Sequence, residues 1–114
     1  MKRATPQRLA DIIDAIEGIQ RYAPSDKASL ATDEVTQLAL IRLVEIVGEA
    51  SNHVDKAVQQ AHPEVPWRAI IGMRNRVVHS YWEVDVQILW DVVTIEIPKL
   101  LPQVRAILAA IENR

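Results

Sequence analysis

Arg74, Asn75 and His79 lie close together in the sequence and offer a fixed cation, an amide and an imidazole. The imidazole exchanges protons near neutral pH, and the planar guanidinium group binds anions through paired hydrogen bonds. Asn75 and His79 are four residues apart, so a helix would place them on one face, where the amide could orient the imidazole. The same spacing also fits an ordinary solvated helix face.

The charge around these residues is positive. The segment from Val65 to Trp82 contains three arginines, one histidine and no acid, whereas the whole chain has a formal net charge of −2. The chain therefore has no global positive field to attract nucleic acid, and its basic charge forms a local island. The arginines of this island are Arg68, Arg74 and Arg76.

A helix over residues 67–79 would place Arg74 within the apolar arc formed by the aromatic and aliphatic residues of that segment. An unpaired buried charge is costly, so Arg74 must pair with a carboxylate or extend to the edge of the face. Glu45 or Glu49 on the preceding long helix could supply that carboxylate.

The opposite side of this predicted helix is a polar stripe of Arg68, Gly72, Asn75 and His79. Its glycine would let a partner backbone or a ligand approach closely. Arg74 and His79 are about 140° apart on an ideal helix. They can act together if the helix loosens before His79, if Arg74 reaches around, or if two subunits contribute.

A metal site is the competing chemistry. Glu45, Glu49 and His53 repeat every four residues and could stack on one helix face. Di-metal bundle sites, however, use Glu-x-x-His pairs from two helices, and the sequence contains no such pair. We therefore expect no metal site and no cofactor.

The elements that would position these residues follow the helical period of the aliphatic residues. The sequence predicts an all-α antiparallel bundle of four to five helices in a single domain over residues 1–114. Thr5 is the predicted N-cap of the first helix, over about 6–22, and Thr32 that of a long second helix that continues to about Val58. Gly48 in this second helix suggests close packing of another helix.

Two prolines in the segment His62 to Pro66 predict a connector, because proline donates no backbone hydrogen bond. The third helix should then run from near Trp67 to about His79. Asp85 is the predicted N-cap of a fourth helix. A bend near Pro98 and a short tail helix should follow.

The composition limits the classes of protein. The chain has 114 residues with 49% hydrophobic and 25% charged residues, which indicates one globular domain. It has no cysteine, which excludes disulfides and thiolate metal sites. No apolar run approaches the roughly 18 residues of a membrane span, and Asp11 and Asp14 interrupt the place of a signal peptide. A cytoplasmic location without membrane contact is expected.

Three segments carry a resemblance to a known family: VEIVGEA (44–50), HPEVPW (62–67) and MRNRVVHSYWEVD (73–85). The last contains an arginine, four residues, a histidine, one residue and a tyrosine, which are Arg74, His79 and Tyr81. Together with their spacing, these segments resemble the HepT-type toxins of the HEPN superfamily, and the similarity is densest over about residues 38–102.

The resemblance implies a toxin of a type II toxin–antitoxin system that acts as a metal-independent endoribonuclease, with its site formed across a homodimer. It implies catalytic roles for Arg74, Asn75 and His79, and makes Arg68 and Arg76 candidates for RNA binding. It also implies a nucleotidyltransferase antitoxin that attaches AMP to Tyr81. The chemistry agrees, since attack by a ribose 2′-hydroxyl needs a proton acceptor and a cation for the charged transition state.

Two other functions are alternatives. The chain could be a helical adaptor without catalytic activity that binds a nucleotidyltransferase, or a helical dimer in which Arg74 forms a structural ion pair. The complete set of Arg74, Asn75, His79 and Tyr81 favours the ribonuclease, because an adaptor would need none of them.

Overall fold

The computed structural model describes residues 4–80 and 83–114. In this part the chain forms eight α-helices, one π-helical turn and two short strands. The all-α prediction is confirmed, although the helices are more numerous and several are shorter than expected. The elements are α1 (Thr5–Tyr22), α2 (Lys27–Ala31), α3 (Glu34–Asn52), α4 (Lys56–Ala61), α5 (Trp67–Ile71), α6 (Met73–Val77), β1 (Val78–Ser80), β2 (Glu83–Val84), α7 (Val86–Asp91), the π-helical turn (Val92–Glu96) and α8 (Ile97–Glu112).

The core is built on the three long helices. α1 packs against both α3 and α8, and α3 also contacts α5, α6 and α7, so α3 has the central position that its wide apolar surface predicts. Burying each aliphatic side chain contributes roughly 1.5–3 kcal/mol relative to leaving it in water. Fully buried side chains include Leu9, Ile12, Ile16 and Ile19 on α1, Leu40, Val44 and Val47 on α3, and Ile97, Val104 and Ile107 on α8.

The start of α1 differs from the prediction by one residue. Ala4 is the N-cap, and its backbone N–H donates to Oε1 of Gln7 at 2.8 Å. Thr5 lies inside the helix and is buried, and its hydroxyl oxygen accepts a hydrogen bond from the backbone N–H of Asp55 at 3.0 Å. The threonine therefore fixes a distant loop and does not cap its own helix.

The predicted second helix is divided in the structure. Asp33, not Thr32, is the N-cap of α3, and hydrogen bonds from the backbone N–H and hydroxyl of Thr36 lower the pKa of the Asp33 carboxyl. α3 ends at Asn52, well before Val58. The side chain of Gln59 donates to the carbonyl oxygen of Ser51 at 2.9 Å and so satisfies one of the carbonyls left without a partner at this helix end.

Gly48 lies where α3 meets α5, as the sequence predicts. A Cβ atom at this position would lie 3.2 Å from the carbonyl oxygens of both Ile70 and Ile71. Glycine lets the two backbones approach, and the contact holds α5 and the neighbouring α6 against α3.

The predicted third helix ends before His79, so its helical placement is wrong. The chain forms α5, passes through Gly72, forms α6 and becomes extended at Val78. Val78 pairs with Val84 and Ser80 with Glu83 in an antiparallel hairpin. Strand pairing with residues further along the chain replaces the last helical turn, and a local period does not reveal such a contact.

The tail also differs from the prediction. Asp85 caps α7 as expected, with Oδ1 accepting from the backbone N–H of Ile88 at 3.0 Å. The interruption that follows is the π-helical turn, which precedes Pro98, and α8 is a long helix of 16 residues. Pro98 is the second residue of α8, which directly follows the π-helical turn, and it donates no backbone hydrogen bond. In the described ranges, no helix has the length and apolar character needed to cross a membrane.

Candidate active site

Arg74 on α6 faces a carboxylate on α3. Its Nε atom lies 3.3 Å from Oε2 of Glu45, which confirms the prediction that Glu45 or Glu49 forms an ion pair with this arginine. The Nε atom is buried and makes no hydrogen bond within the described residues, so the contact is electrostatic and not a directed hydrogen bond. The side chain is 42% exposed, so part of the guanidinium group faces solvent.

A second arginine shares this carboxylate. Nη1 of Arg42, one helical turn earlier on α3, lies 3.1 Å from Oε1 of Glu45. The three side chains form an Arg42, Glu45 and Arg74 cluster with a formal charge of +1. Arg42 was not among the site residues predicted from the sequence, although its three-residue spacing from Glu45 is the signal for such an ion pair.

Asn75 lies beside Arg74 at an open cavity of about 300 Å³ between α3 and the α5–α6 segment. Its Oδ1 is 3.5 Å from Nη1 of Arg74, which is the outer limit of a hydrogen bond. Glu45 also lines this cavity, and His79 is not among its lining residues. The lining residues are Glu45, Gly48, Glu49, Asn52, Ile71, Arg74 and Asn75.

His79 occupies β1, where its side chain is half exposed. Its Nε2 lies 3.8 Å from Oδ2 of Asp85, the residue between β2 and α7. The helical stack of Asn75 and His79 that the sequence predicts does not form, since His79 has left the helix. The imidazole faces a carboxylate instead of an amide.

The two candidates for RNA binding differ in their surroundings. Arg68 on α5 is exposed. Arg76 on α6 is paired, because its Nη2 lies 2.6 Å from Oε1 of Glu96 in the π-helical turn. Among the described residues, a Cβ atom on Gly72 between them would meet only the carbonyl oxygen of Arg68, at 3.5 Å. A phosphate would have to compete with Glu96 for Arg76 but not for Arg68.

Tyr81, the predicted site of AMP attachment, lies outside the described residues.

The proposed metal stack has other contacts. Nδ1 of His53 lies 2.8 Å from the backbone carbonyl oxygen of Glu49, and Glu45 is occupied by two arginines. Among residues 4–80 and 83–114, no group of three or more His, Asp or Glu side chains is arranged to hold a metal ion.

A second cavity of about 330 Å³ lies between α1 and α3. Three carboxylates, those of Asp11, Asp14 and Glu49, line it together with a single cation, Arg8. This balance of charge disfavours a polyanion. The cavity beside Arg74 has two carboxylates, Glu45 and Glu49, and one cation, and Glu45 also pairs with Arg42, so its charge is less unfavourable to a phosphate.

Comparison with known proteins places these features in a family. A family model described as Ribonuclease HepT-like matches residues 12–107. A Thermococcus cleftensis protein with a ribonuclease HepT name is 41% identical over 101 residues, which cover 88% of this chain and 92% of that protein. A Caldanaerobacter subterraneus subsp. tengcongensis protein named as an RNase is 41% identical over 90 residues, or 79% and 80% of the two chains. No solved structure matches the chain.

Proposed function

The chain belongs to the HepT-like ribonuclease family, and from this premise we propose that it cleaves RNA with Arg74, Asn75 and His79. The observation that carries the proposal is the family match over residues 12–107, which contains all three residues. The positions of the side chains support it. A partly exposed guanidinium group lies at an open cavity, and a half-exposed imidazole faces a carboxylate.

The proposed reaction begins with attack of a ribose 2′-oxygen on the adjacent phosphorus. His79 accepts the proton of the 2′-hydroxyl, and the guanidinium group of Arg74 stabilises the added negative charge on the phosphorane. The bond from phosphorus to the 5′-oxygen then breaks, and the proton returns from an imidazolium to that oxygen. The products are a 2′,3′-cyclic phosphate and a 5′-hydroxyl end, while Asn75 orients the guanidinium group or the phosphate.

Cleavage is expected to persist in EDTA, because this reaction uses only side chains. The measurement is the digestion of RNA by the purified chain in excess chelator, with analysis of the product ends. Products with a cyclic phosphate and a 5′-hydroxyl support the proposal. Loss of activity in EDTA, with recovery on adding one divalent ion, would contradict it and favour the stack of Glu45, Glu49 and His53.

The proposed functional unit is a homodimer whose cleft contains two copies of the motif. Arg74 lies against α3 and His79 beside the start of α7, so one chain directs these two side chains to different neighbours. The outer face of α3 carries two exposed aliphatic side chains, Val35 and Leu38, in line with Arg42 and Glu45. Contact between two such faces would cover this apolar surface and bring the two sites together.

The proposed biological role is that of a toxin in a type II toxin–antitoxin system of the cytoplasm, inactivated by a partner nucleotidyltransferase. The partner would transfer AMP from a nucleoside triphosphate to the phenolic oxygen of Tyr81 and release pyrophosphate. The added phosphodiester would carry negative charge two residues along the chain from His79, and this charge would repel an RNA backbone and compete for Arg74.

Coexpression with the partner nucleotidyltransferase is expected to add one AMP to the Tyr81 peptide, as measured by mass spectrometry. The Tyr81→Phe variant should lack the adduct and keep its ribonuclease activity in the presence of the partner. Tyr22 provides the matched control, because it is the other tyrosine of the chain and is 57% exposed. Full neutralisation of Tyr81→Phe, or an adduct on Tyr22 alone, would show that AMP on Tyr81 is not the antidote.

A helical adaptor that binds a nucleotidyltransferase is the second candidate function. Under this alternative the purified chain binds the partner but leaves RNA intact. The ion pair of Arg74 with Glu45 is compatible with this alternative, since an ion pair between two helices can be purely structural.

A further inference from the structure

Asp85 makes two contacts with its two carboxylate oxygens. Oδ1 accepts the hydrogen bond from the backbone N–H of Ile88 that caps α7, at 3.0 Å. Oδ2 lies 3.8 Å from Nε2 of His79. The backbone N–H of Asp85 also donates to the carbonyl oxygen of Val77 at 2.8 Å. The carboxylate is therefore held at its backbone and at one oxygen, and its other oxygen is turned toward the imidazole.

The hairpin determines where the two side chains meet. His79 follows Val78, and Asp85 follows Val84, and these two valines are paired across the strands. The pairing and the helix cap thus fix both backbones, while the His79 side chain is half exposed. The 3.8 Å separation is longer than a hydrogen bond. Hydrogen bonds of catalytic groups are often long in the absence of substrate.

We propose that Asp85 is a positioning residue for His79, which rests on the ribonuclease function proposed above. Its Oδ2 accepts a hydrogen bond from the Nε2–H group, so that Nδ1 is the ring nitrogen that accepts the proton of the 2′-hydroxyl. The negative charge also stabilises the imidazolium that forms when this proton is transferred. Asp85 acts through the imidazole and does not touch the RNA.

The variant Asp85→Asn separates this role from that of the helix cap. Asparagine caps helices about as well as aspartate, so α7 should remain formed. With its oxygen accepting from Ile88, the amide would direct its NH2 group toward His79 and favour the opposite tautomer of the ring. We expect kcat to fall about 10- to 100-fold with KM unchanged.

Asp33→Asn is the matched control. Oδ1 of Asp33 accepts from the backbone N–H of Thr36 at 3.0 Å, which repeats the cap of Asp85 at the start of α3. Both variants replace a charged cap by an amide, but only Asp85 faces His79, so Asp33→Asn should keep the wild-type kcat. A wild-type kcat in folded Asp85→Asn, or an equal loss in both variants, would overturn the proposal.

Two further measurements distinguish the failure of this inference from the failure of the ribonuclease function. In a His79→Ala background, Asp85→Asn should cause no additional loss of activity, because the residue acts only through the imidazole. Nitrogen NMR of His79 reports the tautomer directly and needs no RNA. If Asp85→Asn leaves the tautomer unchanged, the positioning role is wrong even where cleavage occurs. If the tautomer changes but no RNA is cleaved by the wild type, only the proposed function is wrong.

Discussion

Replacing His79 by alanine is expected to lower the rate of RNA cleavage by about 10²- to 10⁴-fold, the usual contribution of a positioned acid or base. The chain should remain folded, because the imidazole is half exposed and its main contact is with the charged oxygen of Asp85. The measurement is kcat for a defined RNA, together with the helical signal in circular dichroism. A folded His79→Ala variant with full activity would rule out His79 as the catalytic base.

Another histidine, His53, provides a control for this prediction. His53 at the end of α3 is exposed, and Nδ1 of its ring lies 2.8 Å from a backbone carbonyl oxygen of the preceding turn. Its replacement removes the same chemical group at a distance from the hairpin. His53→Ala should keep wild-type activity, and a loss equal to that of His79→Ala would show that the effect is not specific to the site.

Local features of the sequence predicted much of the frame around the site. The aliphatic period of α1, the cap of α7 by Asp85 and the glycine at the contact of α3 with α5 depend on residues a few positions apart or on simple geometry. The pairing of Arg74 with Glu45 could be predicted because an unpaired buried charge is strongly destabilising, so an arginine on an apolar face needs a carboxylate partner. Each of these predictions depends on neighbouring residues or on the energetic penalty of the alternative arrangement.

The position of His79 could not be predicted in this way. The helical period from Trp67 continues through Val78 in the sequence, yet the chain becomes extended there because Val78 pairs with Val84. A pairing across a hairpin depends on contacts between separate segments, which a single period does not encode. The predicted angle between Arg74 and His79 therefore had no basis, and the contact of His79 with Asp85 was missed.

Exposure of the start of α3 was also not predictable from the helix alone. Val35 and Leu38 belong to the apolar surface of the predicted second helix, but they are 78% and 57% exposed. Apolar residues at such positions are typical of contacts with another chain, although exposed aliphatic side chains also occur singly on monomers. The sequence pattern shows which face of α3 is apolar, but tertiary packing determines which part of that face is buried.

Replacing Arg74 by alanine is expected to lower kcat by about 10²- to 10³-fold, comparable to the loss of one donor that stabilises transition-state charge. The fold should persist, because Glu45 is partly exposed and keeps Arg42 as its partner. Arg74→Lys should recover little activity, since an ammonium group cannot make the paired hydrogen bonds of a guanidinium group with phosphate oxygens. The measurements are kcat for all three proteins and their free energies of unfolding in urea.

Arg105→Ala is the control for the removal of an arginine from an ion pair. Nη2 of Arg105 lies 3.4 Å from Oε2 of Glu17 in a partly exposed pair between α8 and α1, away from the cavity that Arg74 lines. This variant should keep the wild-type kcat and change the free energy of unfolding by no more than about 1 kcal/mol. Equal activities of Arg74→Ala and Arg105→Ala would assign Arg74 a structural ion pair and nothing more.

A mixture of the Arg74→Ala and His79→Ala chains extends this prediction to the proposed dimer. If a cleft combines Arg74 of one subunit with His79 of the other, each mixed dimer contains one complete site. Random pairing would then restore activity to about a quarter of the wild-type value in a two-fold dimer. If both residues of a site come from the same chain, no mixed dimer has a complete site and the mixture stays inactive. We expect restoration, because within one chain Arg74 is held against α3 while His79 faces Asp85.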